Sequence, residues 1–174
     1  LRRLGFRKGD RLGLWATNSA EWAVIQYATA KAGIVLVTLN PSYRRTELEY
    51  SLNKVGCAGL VTISSFKDSD YEEMIYDVVP ELKTAPIGSL RSAAVSSLRY
   101  VIKLEESASE GMLNYSALLA EPTAEELADL QALGEELQLS STEIANRRLG
   151  SLLHDIGKKD IPEAVLSKET PLTA

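Results

Sequence analysis

The chain has 174 residues, 45% hydrophobic and 25% charged, which is typical of one globular domain or of a domain with a small appendage. Its net charge of −5 disfavours nucleic acid and anionic membranes as partners, and no apolar run approaches the roughly 20 residues of a membrane-spanning helix. The single cysteine, Cys57, excludes an internal disulfide, and the absence of a signal-peptide pattern after Leu1 predicts a soluble, cytoplasmic piece of a longer protein.

The first elements alternate between strand and helix patterns. "RLGLWA" (residues 11–16) predicts a strand, and residues 21–31 predict a helix that ends at Gly33. "IVLVTL" (residues 34–39) is a continuous apolar run, which predicts a strand covered on both faces. Four large apolar residues at helical spacing, here and in the next helix, are predicted to be core rather than ligand contacts: Trp22, Tyr27, Leu48 and Leu52.

The segment that follows, "NPSYRR", admits two interpretations. Asn40, Pro41 and Tyr43 stand where a strand ends, which is where open α/β sheets place ligand contacts. Asn-Pro is also a turn signal, and we favour the turn.

Two pairs that match the capping-box pattern mark further helices. Thr46 with Glu49 predicts a helix that Gly56 ends, and Ser69 with Glu72 predicts one that stops at Pro80. Residues 58–63 between them and residues 98–104 after a loose connector predict two more strands, with Cys57 as a small buried residue. This alternation predicts an α/β fold, a partial doubly wound, mainly parallel sheet with flanking helices.

The composition changes near Ala120, where a small all-helical tail is expected. Thr123 and Glu126 form another capping-box pattern, and a leucine stripe follows at helical spacing. We therefore predict two domains, residues 1–120 and residues 121–174.

The front part contains long signatures of one enzyme family. "NPSYRRTELEY" and "KVGCAGLV", continued by "SFKDSDYEEMIYDVVPEL" and "GSLRSAAVSSLRYVI", make residues 4–119 resemble the N-terminal region of adenylate-forming acyl-CoA synthetases for fatty and medium-chain acids. The resemblance implies activation of a carboxylic acid with ATP and magnesium to an acyl-adenylate, followed by transfer of the acyl group to coenzyme A.

This chemistry needs a Ser/Thr/Gly-rich loop that cradles the triphosphate, an acid that holds magnesium and a mobile lysine. No stretch of the sequence resembles that loop, which in the family lies beyond the region matched here. We therefore expect a scaffold fragment that is inactive alone and needs no cofactor.

The tail contains the signature of a different family. "LLHDIGK", "IPEAVL" and "PLT" make residues 130–173 resemble HD-GYP phosphohydrolases, which hydrolyse cyclic di-GMP with iron or manganese. The resemblance implies that His154 and Asp155 are metal ligands, and that Lys158 approaches the phosphate or the attacking hydroxide.

One histidine cannot complete a two-metal site, and adjacent helical residues point about 100° apart. The alternative interpretation is a solvent-exposed helix end, where Gly157 breaks the helix and Lys158 and Lys159 favour its negative end.

Three hypotheses follow: a synthetase fragment, which we favour; an HD-type metal phosphohydrolase element carrying an α/β partner; and a non-catalytic interaction module. The parent families act on small molecules. Because a four-stranded sheet leaves an edge open, the run of residues 34–39 is also expected to be a site of self-association.

Overall fold

Short runs rich in leucine, valine and isoleucine form a parallel sheet in the computed structural model, which describes residues 1–119, 121 and 123–136. The strands in chain order are β1 (Arg11–Trp15), β2 (Val35–Thr38), β3 (Cys57–Thr62), β4 (Ser65–Phe66), β5 (Ser69–Asp70), β6 (Tyr100–Lys103) and β7 (Leu113–Asn114). The helices are α1 (Ala20–Lys31), α2 (Arg45–Val55), α3 (Tyr71–Val78) and α4 (Ala124–Glu136).

The sheet has the order β2-β1-β3-β6-β7, and every neighbouring pair is parallel. The chain moves outward from β1 in both directions, and β4 and β5 form a separate antiparallel hairpin after β3. This confirms the predicted α/β class and the mainly parallel sheet.

Helices cover both faces of the sheet, because strand side chains alternate between them. Leu12 and Leu14 of β1 pack with Ile25 of α1 on one face. Trp15 and Leu60 pack with α2 and α3 on the other face, where Leu48 and Leu52 are 0% and 1% exposed. The core prediction for Leu48 and Leu52 is confirmed. Trp22 packs against the α1-side core while partly exposed, and Tyr27 is half-buried.

Cys57 lies at the start of β3 and is fully buried, as predicted. Burial raises the pKa of its thiol to about 11, with the Arg11 charge opposing the shift. The thiol is therefore protonated at physiological pH and acts as a small apolar side chain.

The prediction that residues 34–39 form a strand covered on both faces is wrong. The strand β2 lies at the edge of the sheet, and its Val35 is 49% exposed. Ile34 and Leu39, which flank it, are buried. The apolar run is continuous because the residues at its two ends are buried, although the strand between them is partly exposed.

Two of the predicted helix starts were placed at the wrong residues. The Arg44 amide donates to the Glu47 carboxylate at 3.1 Å, so α2 begins at Arg45 without a Thr46–Glu49 box. The N-cap of α3 is Asp70, whose carboxylate accepts from the Glu73 amide at 2.9 Å. The Thr123–Glu126 box is confirmed, with hydrogen bonds of 2.7 and 3.2 Å.

The segment predicted as a loop, residues 105–115, also contains a strand. Its residues Leu113 and Asn114 form β7, so the sheet has five strands where the sequence predicted four. A two-residue strand is too short to show the alternation from which strands are predicted.

Candidate functional site at the carboxyl edge of the sheet

The carboxyl ends of the parallel strands meet at one edge of the sheet. The strand order reverses at β1, so the crevice between β1 and β3 is the topological switch point. Open α/β sheets bind ligands at this position. Trp15 ends β1 there, and Thr62 ends β3.

An aromatic stack lies at this edge, between Trp15 at the end of β1 and Tyr71 at the start of α3. The rings of Trp15 and Tyr71 lie 3.7 Å apart between centroids and 5° from parallel, and both residues are 0% exposed. The Trp15 indole donates to the Asn40 carbonyl at 3.1 Å, and the Tyr71 hydroxyl donates to the Pro41 carbonyl. Burial raises the pKa of Tyr71, so its phenol stays neutral and keeps this bond.

The segment after β2 is a turn that anchors this stack. The Asn40 side-chain oxygen accepts from the Ser42 amide at 2.9 Å, and the Asn40 carbonyl accepts from the Tyr43 amide at 3.0 Å. Tyr43 packs partly buried against the core. These contacts are those of an Asx-turn, which agrees with the turn interpretation.

A charged cluster lies next to the stack, under the loop that follows β6. Lys103 is only 2% exposed and forms an ion pair with Glu72 in the first turn of α3. Ser109 joins the two, accepting from the Lys103 ammonium at 2.7 Å and donating to the second Glu72 oxygen at 2.9 Å.

Burial raises the pKa of Glu72, but hydrogen bonds from Lys103, Ser109 and Ser64 outweigh that effect and hold it below the usual range. The Glu72 carboxylate therefore stays ionised and paired, so it is not poised as a general acid at neutral pH.

A second carboxylate fastens the same loop. One Glu105 oxygen accepts from the Ser64 amide at 2.8 Å, while its other oxygen is buried without a partner among the described residues. The Asn114 amide group donates to the Glu105 carbonyl at 2.6 Å. The described carboxyl edge is thus built from packed aromatic rings and paired charges, which suits a scaffold.

The Lys103 cluster was missed at the sequence level, although a signal was present. A lysine inside the apolar strand "YVIKL" must find a partner if it is buried. Nothing local identifies Glu72, 31 residues earlier, as that partner.

The predicted site residues His154, Asp155 and Lys158 lie outside the described residues. Among the described residues, no group of three or more His, Cys, Asp or Glu could hold a metal ion. The described helices also include none that is long and apolar enough to cross a membrane.

Comparisons with known proteins relate most of the chain to one family. The family model described as "AMP-binding enzyme" matches residues 1–145. Medium-chain acyl-CoA ligase ACSF2, mitochondrial, from Mus musculus is 49% identical over 102 residues, which cover 59% of this chain and 17% of the ligase. The same ligase from Macaca fascicularis is 42% identical over 134 residues, covering 77% of this chain and 22% of the ligase.

The matched parts of these relatives amount to about a fifth of their length. The family match includes α4 and ends before His154.

Solved structures share the fold. Acetoacetyl-CoA synthetase from Streptomyces lividans aligns with a TM-score of 0.56 at 23% identity, covering 70% of this chain and 18% of that protein. Coronafacic acid ligase from Pectobacterium brasiliense aligns with a TM-score of 0.53 at 15% identity, covering 71% of this chain and 22% of that protein. At these identities the likeness extends to the fold alone.

Proposed function

Because the chain belongs to the AMP-binding enzyme family, we propose that it is the N-terminal scaffold of an acyl-CoA ligase. The observation that carries the proposal is the 49% identity over 102 residues to a medium-chain acyl-CoA ligase. In the complete protein, the reaction is the ATP-dependent activation of a fatty acid to an acyl-adenylate, followed by transfer to coenzyme A. A medium-chain acid is the proposed substrate.

The described residues contribute packing and give no cradle for the nucleotide. Trp15 and Tyr71 are stacked and buried at this edge, and the nearby charges of Lys103 and Glu72 neutralise each other. Since the sequence has no Ser/Thr/Gly-rich phosphate loop, these residues do not fit ATP with magnesium, and we assign them no step of the reaction. We propose that the chain is inactive alone.

A pair of assays tests this proposal. With ATP, magnesium, octanoate and coenzyme A, the isolated chain should release no pyrophosphate above background, while a complete family ligase does. A chimaera in which residues 1–119 replace the matching segment of that ligase should keep activity. Pyrophosphate release by the isolated chain would contradict the proposal that it is inactive alone. A folded but inactive chimaera would contradict its assignment as a scaffold.

The HD-GYP resemblance of residues 130–173 supports a second candidate, a metal-dependent phosphohydrolase element that would hydrolyse cyclic di-GMP with iron or manganese. The observation that favours this candidate is the "LLHDIGK" motif, in which His154 and Asp155 are the proposed metal ligands and Lys158 is proposed to lie beside the phosphate. Metal analysis of the purified chain tests it. Stoichiometric manganese or iron that His154→Ala removes and Glu163→Gln retains would support it, and a metal-free wild-type chain after manganese loading would rule it out.

The third candidate, a non-catalytic interaction module, predicts a folded chain that binds neither nucleotide nor metal. Location stays a prediction as well: the sequence predicts the cytoplasm, whereas the ACSF2 relatives are named mitochondrial. Imaging a fluorescent fusion of the complete protein distinguishes the two compartments.

We also propose self-association through β2. The Val35 amide donates to the Asp10 carbonyl at 2.8 Å, and the Leu39 amide donates to the Leu14 carbonyl at 2.9 Å. The backbone N–H and C=O groups of the odd-numbered residues of β2 therefore point toward β1. The backbone groups of Leu36 and Thr38 therefore point outward from the sheet edge.

A further inference from the structure

The turn after β2 is held by two buried aromatic side chains from two other elements. The Trp15 indole, at the end of β1, donates to the Asn40 carbonyl at 3.1 Å. The Tyr71 hydroxyl, in the first turn of α3, donates to the Pro41 carbonyl. The two rings are stacked, and both residues are 0% exposed. Two consecutive carbonyls of one turn are thus fixed to the end of β1 and to the start of α3.

The turn does not need these two bonds in order to form. The Asn40 side-chain oxygen accepts from the Ser42 amide, and the Asn40 carbonyl accepts from the Tyr43 amide. These contacts alone define an Asx-turn. A buried indole or phenol needs an acceptor, which is an alternative reason for the two aromatic bonds. A test must therefore separate the fixing of the turn from the satisfaction of a buried side chain.

The same turn presents polar side chains to solvent. Asn40 and Ser42 are exposed, and neither the Asn40 amide nitrogen nor the Ser42 hydroxyl forms a hydrogen bond with another described residue. The turn follows β2 at the carboxyl edge, next to the switch point between β1 and β3 where open α/β sheets bind ligands. A backbone fixed from two sides that presents polar groups at this position has the arrangement of a preorganised contact surface.

We propose that Trp15 and Tyr71 are positioning residues of the complete ligase, and that they hold residues 40–43 as a fixed contact surface for its substrates. Neither residue touches a reacting atom. A displaced contact surface weakens the binding of substrate and transition state alike, so loss of either bond raises a KM and leaves kcat unchanged. This inference rests on the proposed ligase function and extends it to a role for the turn.

A first experiment tests the two bonds in the full chain, without any substrate. Tyr71→Phe removes the hydroxyl and keeps the ring, so the amides of Ser42 and Tyr43 should exchange their hydrogens about two- to tenfold faster. Tyr76→Phe is the matched control, because Tyr76 lies on the same helix and its hydroxyl donates to the Glu110 carbonyl at 3.0 Å, outside the turn. The control should leave those two amides unchanged, and equal exchange in both variants would overturn the proposal.

A second experiment measures kcat and KM in the chimaera that carries residues 1–119, with octanoate, ATP and coenzyme A varied in turn. Tyr71→Phe should raise at least one of the three KM values about three- to tenfold and leave kcat unchanged. Tyr76→Phe should change neither quantity. Trp15→Phe removes the indole donor but keeps an aromatic ring, and it should raise the same KM as Tyr71→Phe.

The outcomes separate this inference from the scaffold proposal. A folded but inactive parent chimaera would overturn both. An active parent in which Tyr71→Phe and Tyr76→Phe have the same kinetics would overturn the positioning role alone, and so would a loss confined to kcat. If Trp15→Phe fails to fold, Tyr71→Phe still decides the outcome, because it removes a single oxygen atom.

Discussion

Gly111 lies where the loop after β6 packs against the backbone of Leu82. Its φ is +69°, and a Cβ atom there would lie 1.9 Å from the Leu82 carbonyl oxygen. Gly9 has a φ of +85°, but a Cβ atom there would meet open space. We predict that Gly9→Ala lowers the free energy of unfolding by about 1 kcal/mol, the cost of the left-handed conformation alone.

Gly111→Ala should lower it by about 2–4 kcal/mol, because backbone crowding adds to the same conformational cost. Urea unfolding followed by tryptophan fluorescence measures both variants, and equal losses would mean that the loop simply moves away.

The buried ion pair of Lys103 and Glu72 gives a second prediction at this scale. Glu72→Gln leaves the Lys103 ammonium buried without a counter-charge, and should cost about 3 kcal/mol of unfolding free energy. Asp77→Asn, in the exposed Arg45–Asp77 pair on the same helix, should cost less than about 1 kcal/mol. Replacing both partners, Lys103→Met with Glu72→Leu, should cost less than Glu72→Gln alone.

The pH dependence of this pair has a definite sign. The pKa of Glu72 is lowered in the folded state, so its contribution is fully present above the unfolded value of about 4.5 and decreases as the pH falls below it. Unfolding curves at several pH values should show a smaller acid loss in Glu72→Gln than in the wild type, because the other carboxylates with lowered pKa values remain. A wild-type profile that matches the variant would contradict the assigned pair.

At the scale of single residues, the sequence predicted burial only in part, since Trp22 and Tyr27 are partly exposed, and it placed one of three capping boxes correctly. Leu48, Leu52 and Cys57 are apolar residues within strong patterns, and each is buried as expected. At α3, Ser69-x-x-Glu72 and Asp70-x-x-Glu73 overlap by one residue and both resemble a capping box. The ion pair with Lys103 decides between them, because it takes Glu72 away from the cap. A contact so distant in sequence cannot be read from a local pattern.

At the scale of elements, the sequence predicted most of the strands but not their order in the sheet. The predicted bounds of the central strands β1 and β3 lie within one residue of the observed bounds. Glycines and helix patterns on either side mark where these strands begin and end. The apolar run of β2 predicted a strand covered on both faces, yet β2 lies at the edge and its Val35 is 49% exposed. Hydrophobicity reports burial along a strand, whereas an edge position depends on pairing with distant strands.

An ion pair and a backbone contact attach helix α4 at its start, which gives a prediction for this element. Arg3 binds the Glu126 carboxylate and donates to the Glu121 carbonyl at 2.7 Å. Hydrogen bonds from Arg3 and Thr123 lower the pKa of Glu126 to about 2. The attachment should therefore be complete above pH 4.5 and weaken as the pH falls toward 2.

Arg3→Ala should speed hydrogen exchange of the α4 amides while leaving exchange in β1 and β3 unchanged, because it removes the attachment without touching the sheet. Arg91→Ala, which removes an exposed arginine elsewhere, is the control. Unchanged exchange in α4 after Arg3→Ala would show that other contacts, such as the buried Leu133, are sufficient.

At the scale of the whole molecule, helices lie on both faces of a sheet whose β2 edge pairs with no other strand among the described residues. That edge has no charged residue, proline or bulge of the kind that protects exposed edges. Leu36 and Thr38 present outward backbone groups, so two copies can pair antiparallel about a two-fold axis, with Leu36 of each copy opposite Thr38 of the other. This register forms four backbone hydrogen bonds and places Val37 opposite Val37.

We therefore predict a concentration-dependent dimer, measured by sedimentation equilibrium. Val35→Lys should shift the chain to monomer, because it adds a charge to the open edge and a second one by symmetry. Val24→Lys is the matched control: Val24 and Val35 are both 49% exposed, but Val24 lies on α1 and not on the edge. A wild-type chain that stays monomeric at high concentration would refute the pairing. If Val24→Lys dissociated the dimer as much as Val35→Lys does, the added charge and not its position on the edge would explain the effect. The edge would then not be the contact.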